Sequence, residues 1–98
     1  MSDSIHSARI EEYCNVLFQA LYQFIGLDYS YNYLLRLADS LDKSHLGKIS
    51  AIRAELREDE LVVHYTADAD ISLERWTYLK MAVDFAEVFG ISTKLVKG

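Results

Sequence analysis

The apolar residues of this chain change their spacing near Gly47. Before it they recur at steps of three and four, and directly after it they alternate. A chain that carries both periods in 98 residues has to combine helices with a sheet.

The helical period comes first. Ile5, Ala8, Tyr13, Val16, Leu17, Ala20, Leu21 and Phe24 predict a helix from Ile5 onward. Asp3 or Ser4 is placed to cap its start, and Gly26 to end it. After the joint "LDYS", Tyr31, Leu34, Leu35, Ala38 and Leu41 predict a second helix over about residues 30–43. So short a connection favours antiparallel neighbours. Beyond Gly47, "ISAIRAELR" alternates as a half-buried strand. "REDE" is a polar turn and "LVVHYTA" a second strand, so the two read as a hairpin. Asp70 or Ser72 can cap a third helix over about Leu73–Phe89, with Glu74 in its first turn. That helix is apolar over a broad face of Leu73, Trp76, Leu79, Val83 and Ala86, flanked by Met81, Phe85 and Phe89. Trp76 is expected to be buried there. Gly90 ends it, and "ISTKLVK" is a last strand. The expected class is α+β in the order α-α-β-β-α-β. A small three-stranded mixed sheet carries one helix, beside an N-terminal helical pair. Residues 1–45 and 46–98 are the two parts of a single domain.

Charge and composition narrow the function classes. The net charge of −5 works against broad nucleic-acid or polyphosphate binding, which needs a basic surface. No apolar run approaches the ~20 residues of a membrane span. The opening "MSDSIHSARI" has neither the basic start nor the apolar core of a secretory signal. Cys14 is alone, so no internal disulfide is expected, and a reducing cytoplasm fits best.

The chemistry-bearing residues are scattered. His6, His45 and His64 fall on a helix start, a turn and a strand, with none of the i, i+4 or Cys-x-x-Cys spacing of a metal site. Cys14 reads as a small buried apolar residue, and His64 as the solvent side of its strand. Lys43, His45 and Lys48 cluster in "DKSHLGK" and could together hold one anion, although a solvated turn accounts for them as well. Asp39 lies at helical spacing from Arg36 and Lys43, which suits exposed ion pairs. Asp42, near the helix end, reads as a second surface acid. The tyrosines of "YSYNY" suit packing and interfaces.

"LLRLADSLDKSH", a strand hairpin, "LERW" and "FAEVFGI" together resemble the C-terminal region of the exopolyphosphatase / guanosine pentaphosphate phosphatase (Ppx/GppA) family, over residues 34–95. The resemblance implies an HD-type helical domain followed by a small α+β domain. "HSARIEEYCNVLFQAL" is similar to the opening HD helix. On that alignment His6 matches the first metal-binding histidine and Asp39 the closing aspartate. The defining His-Asp doublet is absent, since no histidine here is followed by aspartate. The family's actin-like ATPase-fold domain has no counterpart either. One histidine and one aspartate fall short of the three protein ligands a metal ordinarily needs. His6 and Asp39 are therefore expected to be vestigial, with no metal or other cofactor and no catalytic residue.

The expected function is a non-catalytic interaction or accessory module. Its partners would be a second copy or a separately encoded catalytic phosphatase domain, with neither nucleic acid nor membrane. The alternative is a minimal phosphohydrolase acting on polyphosphate or guanosine pentaphosphate, with a metal site shared between chains. Self-association is expected through the helical pair, at Leu17, Phe18, Tyr22, Phe24, Tyr29, Tyr31 and Tyr33.

Overall fold

The structure is a computed structural model that describes residues 2–22 and 30–98, with side chains from 5 to 22 and from 31 onward. Its elements are α1 (Ser2–Leu21), α2 (Ser30–Ser40), β1 (Ile49–Arg57), β2 (Glu60–Ala67), α3 (Ser72–Phe89) and β3 (Ser92–Lys97). This is the expected α-α-β-β-α-β order. The sheet is mixed, in the order β1-β2-β3. β1 and β2 form the antiparallel hairpin, and β3 returns through α3 to lie parallel to β2. No helix among the described residues is long and apolar enough to cross a membrane.

Register decides which strand residues face the helices. Ile52 stands opposite Tyr65, Ala54 opposite Val63 and Leu56 opposite Leu61. On the other side of β2, Leu61 pairs with Thr93 and Val63 with Leu95. Alternation puts all of these on one face, where they join a single core with Tyr13, Cys14, Leu17, Leu21, Leu34, Leu37, Ala38 and Leu41 of the helical pair and turn. Both halves of the chain therefore share one core. The outer face carries Arg53 opposite His64, Glu55 opposite Val62 and Arg57 opposite Glu60. The hairpin closes over Glu58 and Asp59, with Glu58 at a left-handed φ of 52°.

Element ends differ from expectation in several places. α1 already includes Asp3 and Ser4, so its start lies ahead of both expected caps. Gly26 is outside the described residues. α2 stops at Ser40, and the chain tightens into i→i+3 bonds from Leu41 N–H to Ala38 O and from Asp42 N–H to Asp39 O. This is the usual way a helix end satisfies its last carbonyls. Neither Asp70 nor Ser72 caps α3. The Ser72 hydroxyl donates to Asp70 Oδ1 instead, and Ile71 holds the cap position without a side-chain bond. Gly90 ends α3 in the left-handed conformation, as expected, and its N–H returns to Ala86 O.

The buried face of α3 is not the one the apolar pattern suggests. Trp76 is 59% exposed, and Leu73, Leu79 and Val83 are exposed as well. The residues α3 buries are Glu74, Tyr78 and Phe85. Specific polar partners fix that choice. The Thr93 hydroxyl donates to Leu61 O, so the Tyr78 hydroxyl donates to Thr93 Oγ1 at 2.6 Å. Arg75, beside them, donates to the Tyr65 hydroxyl and to Leu95 O. Phe85 and Phe89 complete the face against the core.

Candidate functional site

Four charged side chains from opposite ends of the helical pair converge beside the turn after α2. On α1, His6 and Arg9 are three residues apart and share a face. Asp39 and Asp42 repeat that spacing at the end of α2 and in the turn. Packing the two segments together brings the basic row against the acidic row. His6 Nδ1 lies 2.8 Å from Asp42 Oδ2, and His6 Nε2 lies 3.1 Å from Asp39 Oδ1. Arg9 Nη1 donates to the same Asp42 oxygen at 2.6 Å, and the Gly47 N–H donates to Asp42 Oδ1 at 2.9 Å. The His45 ring stacks on His6 with centroids 3.6 Å apart.

The electrostatics follow from this geometry. The hydrogen bond to Asp42 raises the His6 pKa above its ordinary value. Partial burial opposes the rise, and Asp39 adds to it. Burial by itself would push the Asp42 carboxyl up, but the bonds from His6, Gly47 and Arg9 outweigh it and hold the carboxyl low. Both His6 nitrogens thus face carboxylates, an arrangement that favours the protonated ring, which can donate to each. Asp42 is 1% exposed, which corrects its placement on the surface. Asp39 is half-exposed and pairs across the fold with His6. Its expected partners on its own helix, Arg36 and Lys43, form no ion pair with it among the described residues.

The two residues matched to the HD metal set, His6 and Asp39, therefore do meet, within a single chain. They do not fit a metal. A ligand histidine must present a free nitrogen lone pair, and both His6 nitrogens are committed to carboxylates. No group of three or more His, Cys, Asp or Glu side chains among the described residues could hold an ion. An open groove of about 410 Å³ runs past the cluster between α1 and α2, bordered by His6, Glu11, Tyr31 and Asp39.

The other candidates do not gather into a site of their own. Lys43 and His45 are exposed and Lys48 is half-buried. His45 turns its ring onto His6, while Lys43 borders a groove with Arg36, Asp39 and Met81. His64 lies on the outer face of the sheet, where it bonds Glu55 at 3.1 Å and draws that carboxyl's pKa down. Cys14 is buried, and burial raises its thiol pKa. Of the interface candidates, Leu17 is fully buried in the chain's own core and is removed from that set. Tyr22 and Tyr31 are exposed, Phe18 is half-buried edge-on to Tyr22, and Tyr33 packs edge-on against Phe89. Phe24 and Tyr29 lie outside the described residues.

Two features escaped the sequence reading. One is Arg9, whose signal was the matched i, i+3 spacing of bases on α1 and acids around the end of α2. The other is the outward stripe of α3. Leu73, Trp76, Leu79 and Val83 are 46%, 59%, 52% and 61% exposed, on the side away from Glu74, Tyr78 and Phe85. Nothing in the periodicity marked which side would be covered.

The chain matches no family model, no curated protein and no solved structure.

Proposed function

We propose that this protein is a non-catalytic interaction module, an accessory of the kind that the C-terminal part of a Ppx/GppA phosphatase would provide. One observation carries the reading: the α3 stripe leaves four large apolar side chains half-exposed on a well-packed helix. Scattered exposed apolar residues need no explanation, but a contiguous row of them is the mark of a docking surface. Trp is also among the side chains that contribute most at interfaces. The His6 cluster supports the same reading. Its two acids and two bases neutralise one another and tie α1 to the turn after α2, so His6 and Asp42 are engaged in holding the fold together.

The partner suggested by the resemblance is a separately encoded catalytic phosphatase domain, with self-association as the simpler case. The test is phosphate release by the purified chain from polyphosphate and from guanosine pentaphosphate, with magnesium or manganese present. Release at the level of the blank is the expected result. Release above it that disappears in Asp39→Ala, but persists in Lys94→Ala on the outer sheet face, would replace this reading with the phosphohydrolase alternative.

A further inference from the structure

The outward stripe of α3 continues as a regular series. Trp76, Leu79, Val83 and Ala86 follow at alternating steps of three and four, and Gly90 comes next. That spacing keeps one seam in line along a helix that meets another helix. The charges beside it are ordered. Arg75 and Lys80 lie in the first half of α3, Asp84 and Glu87 in the second, and the last turn holds no base. Arg75 is engaged inward by Tyr65 and Leu95, whereas Lys80 lies outside, with its Nζ 4.5 Å from the centre of the Trp76 ring.

We infer that a second copy of the chain closes this stripe, its α3 running antiparallel to the first across a two-fold axis near Val83. The inference rests on the stripe being a docking surface, and it names the occupant. Charge favours a copy. Antiparallel pairing about Val83 brings Lys80 of each chain beside Glu87 of the other and sets the two helix dipoles in opposition. A parallel pair would instead lay the acidic halves side by side. Shape agrees with charge. Trp76 of each chain falls over Gly90 of the other, where an added Cβ would meet nothing within 4 Å. Val83 and Ala86 are small enough at the crossing for close approach.

Area sets the strength. The largest apolar patch on an ordinary monomer is roughly 300–600 Å², and a standard interface buries about 800 Å² on each partner. A contact confined to one 18-residue helix is small beside an obligate interface, so the dimer is sought in the micromolar range. A two-fold contact also closes on itself and leaves no second stripe for further addition.

The chain contains one tryptophan, which reports on the contact directly. Sedimentation equilibrium is run from ~1 to ~300 μM, a span bracketing a micromolar Kd, beside the emission maximum of Trp76. The expected result is a mass rising from 11.3 kDa toward twice that value, with a blue shift of emission over the same range. Val83→Asp, at an exposed position, should stay folded by far-UV circular dichroism and remain monomeric. Lys80→Glu and Glu87→Lys should each raise the Kd about tenfold, and the double exchange should restore it.

A monomer at every concentration, with Trp76 emission unshifted, would overturn the second copy as occupant. The docking reading would then stand or fall by the phosphate-release test. A dimer indifferent to Val83→Asp would place self-association on another surface and overturn the second copy as occupant of the stripe. A double exchange no better than the single ones would overturn the antiparallel register.

Discussion

Glu74 Oε2 accepts the Ser44 backbone N–H at 2.8 Å, so a fully buried carboxylate joins the first turn of α3 to the turn that follows α2. Its other oxygen, Oε1, and the Ser44 hydroxyl are both buried without a hydrogen-bond partner among the described residues. Glu74→Ala strands the Ser44 N–H as well, and leaving a buried donor unpaired costs about 1–3 kcal/mol. Glu74→Gln keeps an acceptor for that N–H and adds an amide donor within reach of the same turn. It should therefore cost less than the alanine variant. Urea unfolding of both decides the matter, and equal losses would show that the Ser44 bond contributes little.

The His6 cluster gives stability a defined pH window. The His6 pKa is raised in the folded state, so its contribution is complete below the ordinary histidine value near 6.5 and fades as pH rises through the folded value. The Asp42 pKa is lowered, so its contribution holds above the ordinary carboxylate range and fades as pH falls through the folded value. Asp39, Asp42, Arg9 and His45 are the groups that surround His6. The melting temperature should peak at weakly acidic pH, and His6→Asn should flatten the alkaline limb. A wild-type melting temperature that rises between pH 6.5 and 8 would contradict the assignment.

Two glycines separate strain from collision. Gly47 and Gly90 sit at nearly the same left-handed φ, 63° and 73°. An alanine at either should cost roughly 1 kcal/mol for the backbone alone. At Gly47 the new Cβ would also lie 2.8 Å from the Arg9 guanidinium carbon, and Arg9 is held in place by Asp42. Gly47→Ala should thus exceed Gly90→Ala, and the excess should vanish in an Arg9→Ala background. A double-mutant cycle in urea measures it, and zero coupling between Gly47 and Arg9 would refute the contact.

Position within α3 sets the cost of losing an aromatic ring. Trp76→Ala, on the outward stripe, should cost under ~1 kcal/mol in dilute monomer, as surface changes generally do. Tyr78→Ala removes a fully buried ring and its bond to Thr93, and belongs in the ~3–5 kcal/mol class of large-to-small core substitutions. Equal losses at the two positions would mean that the inward and outward faces of α3 are misassigned.

The element order was legible because period separates helix from strand even without tertiary knowledge, and α2 and β1 carry the two periods cleanly. The hairpin register follows from Ile52, Ala54 and Leu56 meeting Tyr65, Val63 and Leu61. The orientation of α3 was not legible, since apolar residues lie nearly all round it. The face was settled by Glu74 finding Ser44 and Tyr78 finding Thr93, polar contacts over 30 and 15 residues that no local pattern announces. Asp42 escaped for the same reason. Its burial depends on His6, Arg9 and Gly47, and only the last is near it in sequence. His6 and Asp39, expected as vestigial metal ligands, lie 3.1 Å apart, a contact across 33 residues that no spacing in the sequence marks.

The middle position of β2 has a kinetic consequence. Its bonds to β1 close across a two-residue turn, a local event of microseconds. Its bonds to β3 close only when Glu60 meets Ser92, which requires the whole of α3 to be spanned. Assembly should therefore wait on that second seam, with the hairpin already formed on one side of β2. Pulse-labelled amide exchange would see the staging as early protection on the β1 side of β2 and later protection along β3.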